Sequence, residues 1–341
     1  MTIRTWHKPL LVNAALMFLL ALVAAGGVLL DHRTLLGAPV WLKPLKFGVA
    51  FGAYALTLAW VISRLTRGRR VGWWVGTVFA VCGVLDVGVI AYAAARGTFS
   101  HFNVGTDPVA RLVQAVFTYA VPPILVAILV LAVLVLMQRT GDRALTAALR
   151  AGLGLAVLGI IAAVALGGRS GAVPRTVPDA QNQPTTLLGA HGGAGSPDGR
   201  GMPLTDWSTT GGDLRVPHFA GLHGIHALLL LTWGLALLVR SERVRARLVR
   251  VGAAGYAGIF TVLFWQAWRN QPLTAPDAKT LTGLAVVAGA TALGAVLVVL
   301  TARAEEQVGE VAQVAEAHVA VEAAQGGDGG PGCPAGVNAG L

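Results

Sequence analysis

The chain has 341 residues, 55% hydrophobic and 12% charged, with 26 basic against 16 acidic side chains and a formal net charge of +10. A soluble chain carries about 25% charged residues, so this composition excludes an ordinary soluble globular protein. The basic residues sit in short segments between long apolar runs, which assigns them to membrane topology and not to nucleic acid. Two cysteines, Cys82 in an apolar run and Cys333 in a glycine-rich tail, exclude a disulfide framework and a CxxC metal site.

A spanning helix needs about 20 apolar residues, and eight segments meet this. The first, Leu10 to Leu30, follows Arg4 and Lys8 as a signal peptide would. Its apolar stretch exceeds the roughly 7–15 residues of a signal core, so it is expected to be retained. The others are Leu45 to Leu65, Val71 to Ala95, Val109 to Gln138, Ala144 to Leu166, His218 to Val239, Leu248 to Trp268 and Thr280 to Thr301. The fold class this predicts is all-α, a polytopic bundle of eight spans.

Arginine sets the orientation. Arg64, Arg67, Arg69 and Arg70 crowd the turn after span two, Arg139, Arg143 and Arg150 the turn after span four, and Arg240, Arg243, Arg245, Arg247 and Arg250 the turn after span six. These alternate turns belong on one side, and the positive-inside rule makes it the cytoplasm. Both termini then lie there. The long connection on the other side, residues 167–217, contains a Gly-rich stretch from His191 that reads as flexible and a stretch from Asp206 to Arg215 that reads as a folded cap. After span eight, the tail at 303–341 reads as helical through its glutamates and disordered from Gly326.

Before span two the chain reads Leu42-Lys43-Pro44-Leu45-Lys46-Phe47; before span six, Leu214-Arg215-Val216-Pro217-His218-Phe219. Both give Leu, a base, two residues, a second base and Phe, offset by 172. Tyr92 to Arg96 and Trp265 to Arg269 repeat at a similar offset. The division this suggests is two parallel four-helix halves, 1–139 and 140–302, of a kind that membrane proteins use. Interface segments also resemble one another because bases and aromatics collect there.

Six of the eight histidines fall on the outer side, and three of them, His218, His223 and His226, share the outer end of span six. Residues three apart lie on one helix face, so His223 and His226 point the same way, and with His218 they form a candidate transition-metal set, zinc being the natural ion. Asp86 is the one carboxylate deep in a span. Ionisable groups inside a membrane are costly and point to function, so Asp86, His101 and His226 are the candidate catalytic residues, with Asp86 and His226 at similar depth. Lys46, Arg96, Asn103 and Arg215 are candidate rim or ligand contacts, together with Lys43, and their basic excess suits an anionic ligand or a lipid headgroup. The bland alternatives are interfacial anchoring for the histidines, a buried polar contact for Asp86 and snorkelling for the lysines.

Walker A, GxGxxG, HExxH and GxSxG motifs are absent. The four-plus-four layout resembles haem A synthase, but that resemblance implies histidines on several spans, and spans two, four and eight have none. The segments Trp41 to Phe47, Ser100 to Asn103 and Gly212 to His223 resemble those of a group of bacterial polytopic integral membrane proteins. The resemblance implies a multi-pass protein of the bacterial plasma membrane and brings no established activity. Three readings follow: a metal-dependent membrane-embedded enzyme with its site at the outer face, a transporter or small-molecule or lipid binder, and a non-catalytic scaffold or sensor. The bilayer is the one partner the sequence names.

Overall fold

The computed structural model describes residues 5–169, 174–189 and 201–326, and His191 with its neighbours lies outside the described residues. Eight helices account for most of the chain: α1 (Lys8–Leu30), α2 (Leu42–Ser63), α3 (Arg69–Ala95), α4 (Pro108–Leu136), α5 (Arg143–Arg169), α6 (Arg215–Leu238), α7 (Glu242–Trp268) and α8 (Ala278–Gly326). All eight are long and apolar enough to cross a membrane. The chain is an all-α, eight-span integral membrane bundle.

Most helices begin ahead of the apolar run because polar residues cap them. His7 Nδ1 accepts the Leu10 N–H at 3.2 Å. Asp107, followed by Pro108, accepts the N–H groups of Val109 and Ala110. Ser241 accepts that of Val244, which places the start of α7 at Glu242 and not at Leu248. Each cap satisfies an N–H group that a helix cannot satisfy internally. Arg64 stacks over Trp60 at the arginine-rich face and Arg269 over Trp265 at the opposite face, as interfacial anchors do.

The core is a dry apolar cluster in which Leu10, Leu58, Ile62, Phe79, Leu131 and Leu149 come from five helices. Large side chains such as Leu22, Leu230 and Leu237 face outward, the arrangement lipid requires. Small residues permit the closest approaches. A Cβ at Gly221 of α6 would stand 2.6 Å from Gly159 Cα of α5, so these two backbones touch. Gly48 of α2 likewise rests on the Met17 carbonyl of α1. The α1–α2–α3 and α5–α6–α7 trios pack in the same order, each helix of a trio touching the other two, with α1–α2 and α5–α6 the most extensive pairs. Helix α8 meets α7 through Val287 and Thr291 against Gly258 and Gly255.

The described residues divide into two compact units between Ala292 and Leu293. The second is the continuing helix, with its glutamates exposed and a His318–Glu322 contact at 3.5 Å.

Among the described residues, two hairpins sit in the connections opposite the arginine-rich turns: β1 (Thr34–Leu35) with β2 (Ala38–Pro39), and β3 (Pro174–Pro178) with β4 (Pro184–Leu188), both antiparallel. The second lies in the 167–217 connection, where no strand was predicted. It docks on the chain after α3: Val104 donates to the Thr186 carbonyl, Leu188 to that of Phe102, and Ala180 to that of Gly97. Short strands of five residues flanked by prolines give too little alternation to read from sequence.

Candidate functional site

The connections opposite the arginine-rich turns and the ends of α2, α3 and α6 line a cavity of about 930 Å³. This is near the top of the usual range for ligand pockets, about 300–1,000 Å³. Its walls are mostly apolar: Leu36, Val49, Ala50, Ile90, Ala163 and Leu187 are representative. Its charged groups are Lys43, Lys46 and Arg215 at two helix starts and Arg175 and Asp206 in the connections. Lys43, Lys46 and Phe47 enter from the first turns of α2; Arg215, His218 and Phe219 enter from the first turns of α6. The basic and aromatic positions of both copies of the sequence repeat therefore line one cavity. Lys43 plus 172 is Arg215, Lys46 plus 172 is His218, and Phe47 plus 172 is Phe219. Deeper in, Tyr54 and His226, again 172 apart, pack edge to face with ring centroids 5.2 Å apart.

The charges are not equivalent. Arg215 is fixed by protein. Its guanidinium pairs with Asp213 at 2.7 Å, reaches Asp206 Oδ2 at 3.4 Å and donates to the Asp206 carbonyl. Arg215, predicted as a rim contact, lines the cavity, with its guanidinium held by an Asp213 that is almost wholly buried. The lysines differ. Lys43 Nζ donates to His101 Nδ1 at 2.9 Å, and Lys46 Nζ donates to the Thr205 carbonyl at 2.6 Å. Neither ammonium has a carboxylate within 4.0 Å among the described residues.

His101 lies in the connection after α3 and packs on Phe117 and Phe47. Burial, and then the charges of Lys43, Arg215 and His218, hold its imidazole well below its ordinary range. A neutral ring is what Lys43 requires as an acceptor. Below about pH 6.5 the unfolded chain protonates this histidine and the folded chain resists it. Stability is then present above that pH and falls as the pH drops. Thermal melting of the wild type and His101→Asn between about pH 7 and about pH 5 should show a smaller loss in the variant, by at most about 1.4 kcal/mol per pH unit for one proton.

The other candidates distribute as follows. His223 and His226 share a face, as predicted, with their Nδ1 atoms 3.3 Å apart, one ring donating to the other. His218 does not join them as a third ligand: its Nδ1 bonds the Gly159 carbonyl of α5 at 2.8 Å. Among the described residues, no three His, Cys, Asp or Glu side chains gather to hold a metal ion. The donor set does not fit the three-ligand zinc centre the spacing suggested. Asp86 is 5% exposed and interacts electrostatically with Lys43; no hydrogen bond joins it to His226 among the described residues, His226 facing His223 and Tyr54 instead. Asn103 is buried and structural, donating to the Phe99 carbonyl and accepting from Gly105 N–H. Arg96 is exposed at the end of α3 and does not line the cavity. Sequence reasoning missed Trp207, Ser208 and Tyr54. The first two reach the cavity only through the fold of the 201–214 stretch, and Tyr54 reads as one apolar position in a span. No protein-family model matches the chain, and no curated protein or solved structure matches it, so function is read from the site alone.

Proposed function

We propose that the protein binds an amphiphilic anion, an acyl or prenyl chain carrying a carboxylate or phosphate, in the outer cavity. The observation that carries this is the pairing of about 930 Å³ of largely apolar space with two ammonium groups, Lys43 and Lys46, that lack a carboxylate partner. Apolar walls take the chain, and the ammonium groups take the charge in surroundings where an ion is costly without a partner. The arginine-rich turns support placing the opposite face in the cytoplasm and the cavity on the outer side of a bacterial plasma membrane. A transport reading needs a polar route past Asp86, whereas the inner half packs Leu58, Ile62, Leu131 and Val135 into apolar core. A metal-dependent hydrolase needs a third ligand beside His223 and His226.

The test is binding of a single-chain lysophosphatidic acid to the purified full chain. Each lysine contributes a charge-assisted hydrogen bond of about 1.5–3 kcal/mol. Lys46→Gln should therefore weaken binding by about tenfold or more, and Lys43→Gln similarly. A neutral monoacylglycerol should bind both variants and wild type alike. Equal affinity for the acidic and neutral probes would overturn the proposal, as would lysine variants that bind as wild type does.

A further inference from the structure

On the opposite face the first turns of α5 and α7 lie side by side and hold each other in place. Asp142, just ahead of α5, accepts the Leu145 N–H at 2.8 Å and pairs with Arg245 of α7 at 3.1 Å. Glu242, the first residue of α7, accepts the backbone N–H of Arg143 at 2.8 Å, with the Arg143 guanidinium 4.0 Å away. Both carboxylates of the junction are thereby engaged in fixing helix starts.

Beside them is a recess of about 340 Å³ lined by Arg143, Arg243, Arg247 and Arg250 over Ala246, with no acidic residue in its walls among the described residues. Arg243, Arg247 and Arg250 stand at i, i+4 and i+7, a single helix face. Arg245, between them, turns away to Asp142. Topology calls for basic residues at this end of the spans; it does not call for three in helical register facing a fourth on another helix. Arg243 and Arg250 have no carboxylate within 4.0 Å among the described residues. A helix start carries the positive end of its dipole; Asp142 and Glu242 offset the two starts that converge here, and the guanidinium groups crowd beside them. An anion relieves this crowding, and the planar, forked guanidinium matches phosphate oxygens in pairs.

We propose that this recess is a second, independent site, which binds the headgroup phosphates of an anionic phospholipid, best one with two phosphates. The recess lies at the ends of membrane spans, where headgroups are the concentrated anion, and basic recesses between spans are suited to such heads. The site does not depend on the outer cavity or on the ligand assigned to it.

The full chain, reconstituted in phosphatidylcholine vesicles, is titrated with diphosphatidylglycerol and followed by thermal unfolding, with inorganic phosphate as a separate arm. The lipid should raise the melting temperature of the wild type. Arg243→Gln with Arg250→Gln should weaken the apparent lipid affinity about thirtyfold, from a factor of about five per arginine. Arg67→Gln with Arg240→Gln removes two arginines from the same face outside the recess and should leave the response intact. Equal losses in the two double variants would overturn the site in favour of net charge. No response of the wild type to diphosphatidylglycerol would overturn it outright. Inorganic phosphate acting as well as the lipid at equal phosphate concentration would overturn the lipid as ligand. Should the first double variant fail to fold, the single Arg250→Gln and the wild-type comparison of diphosphatidylglycerol with inorganic phosphate decide the matter.

Discussion

Replacing Arg215 with alanine should destabilise the protein by about 3–5 kcal/mol, the range for breaking a buried ion pair from one side. The Asp213 side chain is only 1% exposed. It receives the Arg215 Nε at 3.0 Å, the Arg215 backbone N–H at 2.9 Å and the Ser208 N–H at 2.9 Å. Without the guanidinium, a nearly dry carboxylate keeps two backbone donors and no counter-ion. Arg215→Lys should recover part of the loss, since an ammonium cannot reproduce the forked contact. Removing both charges, with Asp213→Asn added to Arg215→Ala, should cost less than Arg215→Ala alone. Thermal unfolding in detergent measures all three. Unchanged stability with weakened ligand binding would instead return Arg215 to the ligand-contacting role its sequence position suggested.

The second large effect lies at the contact between α5 and α6. A Cβ on Gly159 would stand 2.8 Å from the His218 carbonyl and 2.8 Å from the Leu222 nitrogen; one on Gly221 would stand 2.8 Å from the Leu155 carbonyl. These neighbours are backbone, so neither helix can give way locally. Gly159→Ala or Gly221→Ala should cost at least the 1–3 kcal/mol typical of overpacking, roughly. It should also strain the His218 bond to the Gly159 carbonyl. Because the two sites share one contact, the double variant should lose less than the sum of the singles. Gly154, on the same helix with open space around it, is the control: Gly154→Ala should be neutral or stabilising by up to about 1 kcal/mol. Equal behaviour of the 154 and 159 variants in melting and size-exclusion profiles would contradict the close packing.

The spans were legible because lipid imposes one pattern on every segment that crosses it, and each of the eight predicted runs corresponds to a helix. Their starts were less legible. Caps such as Asp107 and Ser241 act outside the apolar run, so hydropathy places the boundary too late. The histidine cluster was visible as residue types, and the shared face of His223 and His226 follows from helical spacing. The direction of His218 does not, because it is set by a carbonyl exposed where Gly159 meets Gly221. The cavity was least legible. Its walls come from the 34–40, 98–102 and 204–208 stretches, which converge only through tertiary packing. Yet the repeat Lys43-x-x-Lys46-Phe47 and Arg215-x-x-His218-Phe219 pointed to both helix ends that supply its polar groups.

The neutralisation of Arg215 by Asp213 has a consequence for selectivity. A guanidinium free to form two parallel bonds would demand a planar or tetrahedral head in one orientation. With that group engaged by the protein, the proposed recognition of charge would rest chiefly on two lysines one turn apart on α2, with Arg175 also in the cavity wall. An ammonium is a compact charge on a flexible stem and imposes little angular preference. If the cavity holds the proposed amphiphilic anion, it should discriminate by sign of charge and by chain volume, and tolerate carboxylate and phosphate heads alike.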